Sequence, residues 1–179
     1  SRWFASPRVA QAPGVPVLAA IGRRTGDVGA LAIGPATWLA GALARDGAAQ
    51  AVGRDVAWSV LAAGVATGAI KIVTGRTRPD ATADGSPRHW RWFAGARDDG
   101  RRAFPSGHAS LSSAAAVSLA WGLRTGGAQG WRDGAAIGAY ALAGTAILSR
   151  VRDRRHWLSD VLAGAALGTA SALVVRAAR

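Results

Sequence analysis

The sequence predicts an all-α fold, a compact bundle of about five to six helices. Half of the 179 residues are hydrophobic, and they gather into long Ala-rich runs free of charge. The runs lack the strict alternation and the β-branched clusters of strands, which argues for helices. Five stand out: Val28–Ala44, Val56–Ile70, Ala109–Leu123, Gly134–Ser149 and Val161–Val175. A sixth, weaker helix is expected within Pro13–Gly22. Pro35 falls inside the first run, where it would kink the helix. The polar joints Arg45–Asp55 and Arg124–Asp133 are short, as antiparallel neighbours require. The joint Gly75–Pro105 is long, irregular and rich in Arg, Asp, Gly and Pro. A connection of that length inside a compact domain is usually functional. No low-complexity linker divides the chain, so residues 1–179 read as one domain. Any signal segment would lie upstream of Ser1.

Composition removes several classes. The net charge is +12, yet the chain is too apolar for disorder. It has no Cys, which excludes a disulfide scaffold and a Cys-ligated metal site. All ten acids are Asp, and 21 of the 22 basic residues are Arg; Lys71 is the exception. Such an excess of cations fits either a solubilising surface or an anionic partner. Run length bears on the membrane. A spanning helix needs roughly 20 apolar residues, with a lower limit near 17. Only Val28–Ala44 reaches that limit, and mean hydropathy is a modest +0.15. A soluble or peripheral bundle is therefore read ahead of a short-helix membrane protein. Three pairs at GxxxG spacing, Gly64/Gly68, Gly134/Gly138 and Gly164/Gly168, would allow close helix approach in either setting.

Antiparallel order narrows the search for a site. It brings the end of the third helix (near Lys71), the start of the fourth (near His108), the end of the fifth (near Arg150) and the start of the sixth (near His156) to one end of the bundle. Segments Lys71–Arg102 and Arg150–Arg155 then share a face. They hold twelve of the 22 basic residues but only five of the ten acids.

Three clusters sit at that end. They are Lys71 with Arg78-Pro79, then Pro105-Ser106-Gly107-His108, then Ser149-Arg150 with His156 and Asp160. Arg offers a planar fork that matches phosphate oxygens, and Lys offers a point charge. Ser106 and the Gly107 amide precede a helix, whose N-terminal N–H groups suit a phosphate. His156 and Asp160 stand at i, i+4 on one helix face. A carboxylate there can take the proton of one imidazole nitrogen and leave the other to attack. His108 remains as an acid for a leaving group. Each feature also has an ordinary reading: a solvated helix-end Lys, an N-capping Ser, a surface ion pair. Their coincidence at one end favours a phosphoryl-transfer site.

The series KxxxxxxRP, PSGH and SRxxxxxHxxxD resembles the signature of the phosphatidic acid phosphatase type 2 superfamily, which also contains bacterial acid phosphatases and vanadium haloperoxidases. All eleven motif positions match, and the resemblance runs from about Val56 to Gly168. It implies an acid-phosphatase-like helical fold with the site at one end. It implies a phosphatase acting on phosphomonoesters or pyrophosphates, plausibly lipid phosphates such as phosphatidate or a polyprenyl pyrophosphate. His156 would form a phosphohistidine, Asp160 would orient and polarise it, and His108 would protonate the leaving group. Lys71, Arg78, Ser106, Gly107 and Arg150 would hold the phosphate. No metal or other cofactor would be required, with vanadate as an inhibitor. The location would be extracytoplasmic, either periplasmic or at the membrane.

Two alternatives remain open: a vanadium-dependent haloperoxidase, with vanadate as cofactor, and a non-catalytic basic module binding an anionic membrane or nucleic acid. The signature argues against nucleic acid, because salt-sensitive charge binding does not need those eleven positions. Outside the signature, His89 reads as structural or solvated. The stretch Arg88–Phe93 reads as a loop pinned by its own aromatics, a lid, or an interfacial anchor. Arg154 and Arg155 would steer anions or bind headgroups.

Overall fold

Asp46 decides where the longest helix begins. Its carboxylate accepts the amides of Ala48 and Ala49 at 2.9 and 3.1 Å. Two otherwise unpaired helix-end donors are thereby satisfied, which contributes about 1 kcal/mol. The helix stops at Gly75, which takes the left-handed conformation at φ +53° and donates its N–H to Lys71 O. A Cβ at Gly75 would collide with Arg91 O, so glycine is required there twice over.

The computed structural model describes Val17, Ala20 and residues 28–125 and 130–179. It contains α1 (Ala30–Leu43), α2 (Gly47–Thr74), α3 (Gly107–Thr125), α4 (Gly130–Arg152) and α5 (Leu158–Ala177). Three single 3₁₀ turns, Pro79–Ala81, Ala94–Ala96 and Asp99–Arg101, lie in the connection from α2 to α3. The all-α prediction holds. The helix expected within Pro13–Gly22 lies outside the described residues. Pro35 does not end α1, which continues to Leu43.

The helices outrun the apolar runs. The joint read as Arg45–Asp55 is mostly the first turns of α2, whose 28 residues rise about 42 Å. A charge-free run is a poor ruler for a helix, because Arg54 and Asp55 sit on it without ending it. Three helices, Gly47–Thr74, Asp133–Arg152 and Leu158–Ala177, are long and apolar enough to cross a membrane. This corrects the expectation that only Val28–Ala44 reaches spanning length.

Small residues explain the packing. α3 is central and packs against α2, α4 and α5, while α1 lies along α2. Its Ala109, Ser110, Ser112, Ser113, Ala114, Ala115 and Ala116 are all buried, as a helix enclosed on several sides needs. One core gathers Val56, Val60, Ala63, Ala114 and Ala115 with Leu111 and Leu119. A second, nearer the charged end, joins Ala109, Val151 and Val161. Of the three GxxxG pairs, only Gly164/Gly168 serves close approach. A Cβ at either glycine would strike the backbone at the entrance and first turn of α3, at Ser106 O and Ser110 O. Gly64, Gly68, Gly134 and Gly138 face open space.

Candidate active site

The bundle does bring the two charged segments together. Ser106 N–H donates to Asp160 O at 2.9 Å, tying the start of α3 to the start of α5. Arg155 pairs with Asp80 at 3.0 Å, tying the α4–α5 turn to the residues after α2. Gly107 lies beside Lys71: a Cβ added to it would stand 3.9 Å from Lys71 Cε. Lys71 Nζ in turn donates to Arg102 O at 2.5 Å. Ser106 is fully buried, and its Oγ receives the Ala109 amide only weakly, at 3.5 Å. His108 is the second residue of α3 and half-buried; its carbonyl accepts from Ser112 Oγ at 2.6 Å.

His156 is 7 % exposed and held by a backbone carbonyl. Its Nδ1 lies 2.6 Å from Ala103 O. A carbonyl only accepts, so Nδ1 carries the hydrogen and Nε2 keeps the lone pair. The expected partner, Asp160, stands farther away: its Oδ2 is 3.8 Å from Nδ1, beyond hydrogen-bond range. This corrects the i, i+4 reading in one respect. Ala103 O is the acceptor within hydrogen-bond range of Nδ1, and the Asp160 carboxylate lies near enough to interact through its charge. Burial pushes the imidazole below the ordinary histidine value, and the charge of Lys71 adds to the effect against the pull of Asp160.

Asp160 is engaged elsewhere. Fully buried, it forms an ion pair with Arg76 through Oδ1 and accepts the Trp157 amide on Oδ2 at 2.8 Å. The motif reading missed Arg76, which fell between two motif positions. A second arginine two residues before Arg78 carries no signal of its own in an Arg-rich chain. The Ala103 carbonyl was equally hidden, because any residue supplies one.

The other cations also have internal partners. Arg78 forks onto Asp99 at 2.6 and 3.3 Å, yet its Nε is buried with no acceptor among the described residues. Arg150 reaches Ser149 Oγ at 3.2 Å and Asp153 at 3.3 Å. Arg154 approaches Pro79 O at 3.5 Å. His89 is exposed and pairs with Asp84 at 2.9 Å, in keeping with a structural or solvated role.

The long connection is pinned along its length. Thr77 N–H donates to His89 O, Arg91 N–H to Gly75 O and Phe93 N–H to Val73 O, at 3.0, 3.2 and 2.8 Å. Arg78 N–H and Ala103 N–H bond to Gly100 O and Arg76 O. Trp90 turns onto Arg76 and meets Phe104 edge-on at 5.4 Å between centroids. Trp92 and Phe93 point outward, about two-thirds exposed.

Comparison with known proteins gives the family of the chain. A stretch of 94 residues is 34% identical to lipid A 1-phosphatase from Porphyromonas gingivalis. It covers 52% of this chain but only 16% of that relative. No solved structure matches. Residues 53–179, from early α2 to the last residue, match the PAP2 superfamily, and the chain belongs to that family.

Proposed function

We propose that this chain is a metal-independent phosphatase of the membrane, acting on a phosphorylated lipid through a phosphohistidine. The observation that carries the reading is the bond from His156 Nδ1 to Ala103 O. It leaves the Nε2 lone pair available for nucleophilic attack. In the first step Nε2 attacks phosphorus, the bond from phosphorus to the leaving oxygen breaks, and His108 gives that oxygen its proton. In the second, water attacks phosphorus, the P–N bond breaks, His108 takes up the water's proton, and inorganic phosphate leaves. Lys71, Arg78, Arg150, Ser106 and the Gly107 amide offset the charge that builds on the phosphoryl oxygens. The buried, unpartnered Nε of Arg78 supports that assignment.

A lipid substrate is favoured by the protein's outer surface. On α2, Trp58, Leu61, Val65, Ile72 and Val73 are exposed, and Phe93 and Trp92 adjoin them at the site end. Trp38, Trp58 and Trp121 are exposed toward the opposite end. Aromatic rings at two levels suit the two interfaces of a bilayer. Lipid A, phosphatidate and polyprenyl pyrophosphate are the substrates to compare, the first because the relative is named for it. The site is assigned to the extracytoplasmic side.

The test is phosphate release by detergent-solubilised protein from these three lipids and from an aryl phosphate. We expect lipid turnover, inhibition by orthovanadate, and loss of at least ~1,000-fold in His156→Ala, as for other enzymes deprived of a nucleophile. Undiminished turnover in His156→Ala would sink the mechanism. Because the chain has no Cys, Ala83→Cys gives a clean probe of sidedness with a membrane-impermeant maleimide. Labelling in intact cells supports the extracytoplasmic assignment, and labelling only after lysis overturns it.

A further inference from the structure

Arg76 and Arg78 differ by two positions and by everything around them. Arg78 is a cation with a buried, unpartnered Nε and an exposed carboxylate for a partner. Arg76 is buried and spent. Its Nε and Nη2 donate to Pro87 O at 3.1 and 2.9 Å. Its Nη1 serves Ser159 Oγ at 2.8 Å and Asp160 Oδ1. The guanidinium carbon lies 4.6 Å from the Trp90 ring centroid and 5.9 Å from that of Trp157. Cation–π contact on two rings and three acceptors fix such a group in place. Little of it is left to meet a substrate.

What Arg76 holds is the carboxylate beside the nucleophile. Asp160 is fully buried, so its charge needs a counter-charge and hydrogen bonds to persist. Arg76 supplies the counter-charge on Oδ1, and the Trp157 amide takes Oδ2. With both oxygens engaged, the carboxylate stays 3.8 Å from His156 Nδ1 and does not draw that hydrogen away from Ala103 O.

We propose that Arg76 is a positioning residue for the reaction: it clamps Asp160 so that the carboxylate polarises His156 through space while the Ala103 carbonyl sets the ring. Without the clamp, Asp160 either takes up a proton or pulls the Nδ1 hydrogen toward itself and turns the ring. Both changes misdirect Nε2 and leave the phosphate-holding groups untouched. Trp90 gains a role from the same arrangement. Although Trp90 is 43 % exposed, its ring lies against Arg76 and helps keep the guanidinium over Asp160.

This inference rests on the phosphatase reading, and the test separates the two. Arg76→Gln, Arg76→Lys, Asp160→Asn and the double variant Arg76→Gln/Asp160→Asn are compared with wild type in detergent, with thermal unfolding as a check on the fold. Misplacing a reacting group costs about 10- to 100-fold, so Arg76→Gln should lose that much kcat with KM changed less than about twofold. Arg76→Lys, which keeps the charge but not the fork, should fall between. In the Asp160→Asn background, Arg76→Gln should cost less than about threefold more, because the two residues act as one unit. Wild-type kcat in Arg76→Gln overturns the inference. So does a rise in KM alone, or a full independent loss in the double variant. Should Arg76→Gln lose its cooperative unfolding, Arg76→Lys decides alone: a several-fold loss of kcat at fixed KM supports the clamp, and wild-type kinetics refute it. A wild type that releases no phosphate from any substrate refutes the phosphatase reading and this inference with it. An active wild type with an unaffected Arg76→Gln refutes only the inference.

Discussion

The two ends of the bundle use the same residue types in opposite ways. At the end away from the site, charges stay near the surface, even where they pair across the chain as Arg179 does with Asp55. Asp46 caps its own helix, and Arg176 lies 3.4 Å over the ring centroid of Trp121 on the neighbouring α3. At the site end one pair, Arg76–Asp160, is enclosed on both sides, and several pairs join segments far apart in the chain. Arg76 meets Asp160 from 84 residues away, Arg155 meets Asp80 from 75, and Arg78 meets Asp99 from 21. A surface charge keeps its water and contributes little by pairing. The Arg76–Asp160 pair is buried on both sides, so it needs the whole bundle to be right and its loss is felt. The contrast explains how an Arg-rich chain keeps most of its positive charge ordinary and a few cations specialised.

Separating the helices that build the site end would erase this contrast most completely. Gly164→Val would drive a side chain into Ser106 O and Ala109. We expect a loss of about 3 kcal/mol or more of stability, the upper range for overpacking, along with loss of activity. Gly64→Val, at the same motif spacing but facing open space, should unfold within a few degrees of wild type. Equal thermal stabilities for the two variants would show that the α3–α5 seam is not tight.

Next in size is a direct test of one cation from each end. Arg78→Ala should lower kcat/KM about 100-fold, since one donor to a developing oxyanion contributes roughly that much. Arg45→Ala, exposed at the opposite end, should stay within about twofold, because exposed charges contribute little. Similar losses in both would mean that the charge acts as a diffuse field.

A smaller effect is expected at the carboxylate that occupies Arg78. Asp99 is two-thirds exposed, and such pairs contribute about 0.2–1 kcal/mol. Asp99→Asn should therefore lower KM by up to about fivefold, because substrate no longer competes for Arg78. An increased KM would instead make Asp99 part of the binding surface. The subtlest measurement is pH dependence. Burial holds His156 below its ordinary value of 6.5, so Nε2 keeps its lone pair into mildly acidic solution. The acid limb of kcat/KM should lie below pH 6.5, and a limb at or above that value would contradict the burial effect.

Much of the site was legible before the fold. Charge-free Ala-rich runs mark helices, and short joints make neighbours antiparallel. That logic alone gathers Lys71, Ser106, Arg150 and His156 at one end. Other features were not legible. Helix length was underestimated because a long helix tolerates Arg54 and Asp55 on its surface. The three GxxxG pairs look alike in sequence, and only their neighbours distinguish Gly164/Gly168. Arg76 is hidden for the same reason, as its role lies in Pro87, Trp90, Ser159 and Asp160 around it.

Local periodicity and chain order are enough to specify which elements form, which end collects the charge and which residue types are available for phosphate chemistry. Long-range packing made the remaining choices. It set Ala103 O against the His156 ring, placed Arg76 on Asp160, and laid Trp90 against Arg76 while Trp92 and Phe93 face out. Those outcomes are contests among acceptors distant in sequence. They are settled by which groups burial brings within about 3 Å of one another, a hydrogen-bond distance that no linear pattern encodes.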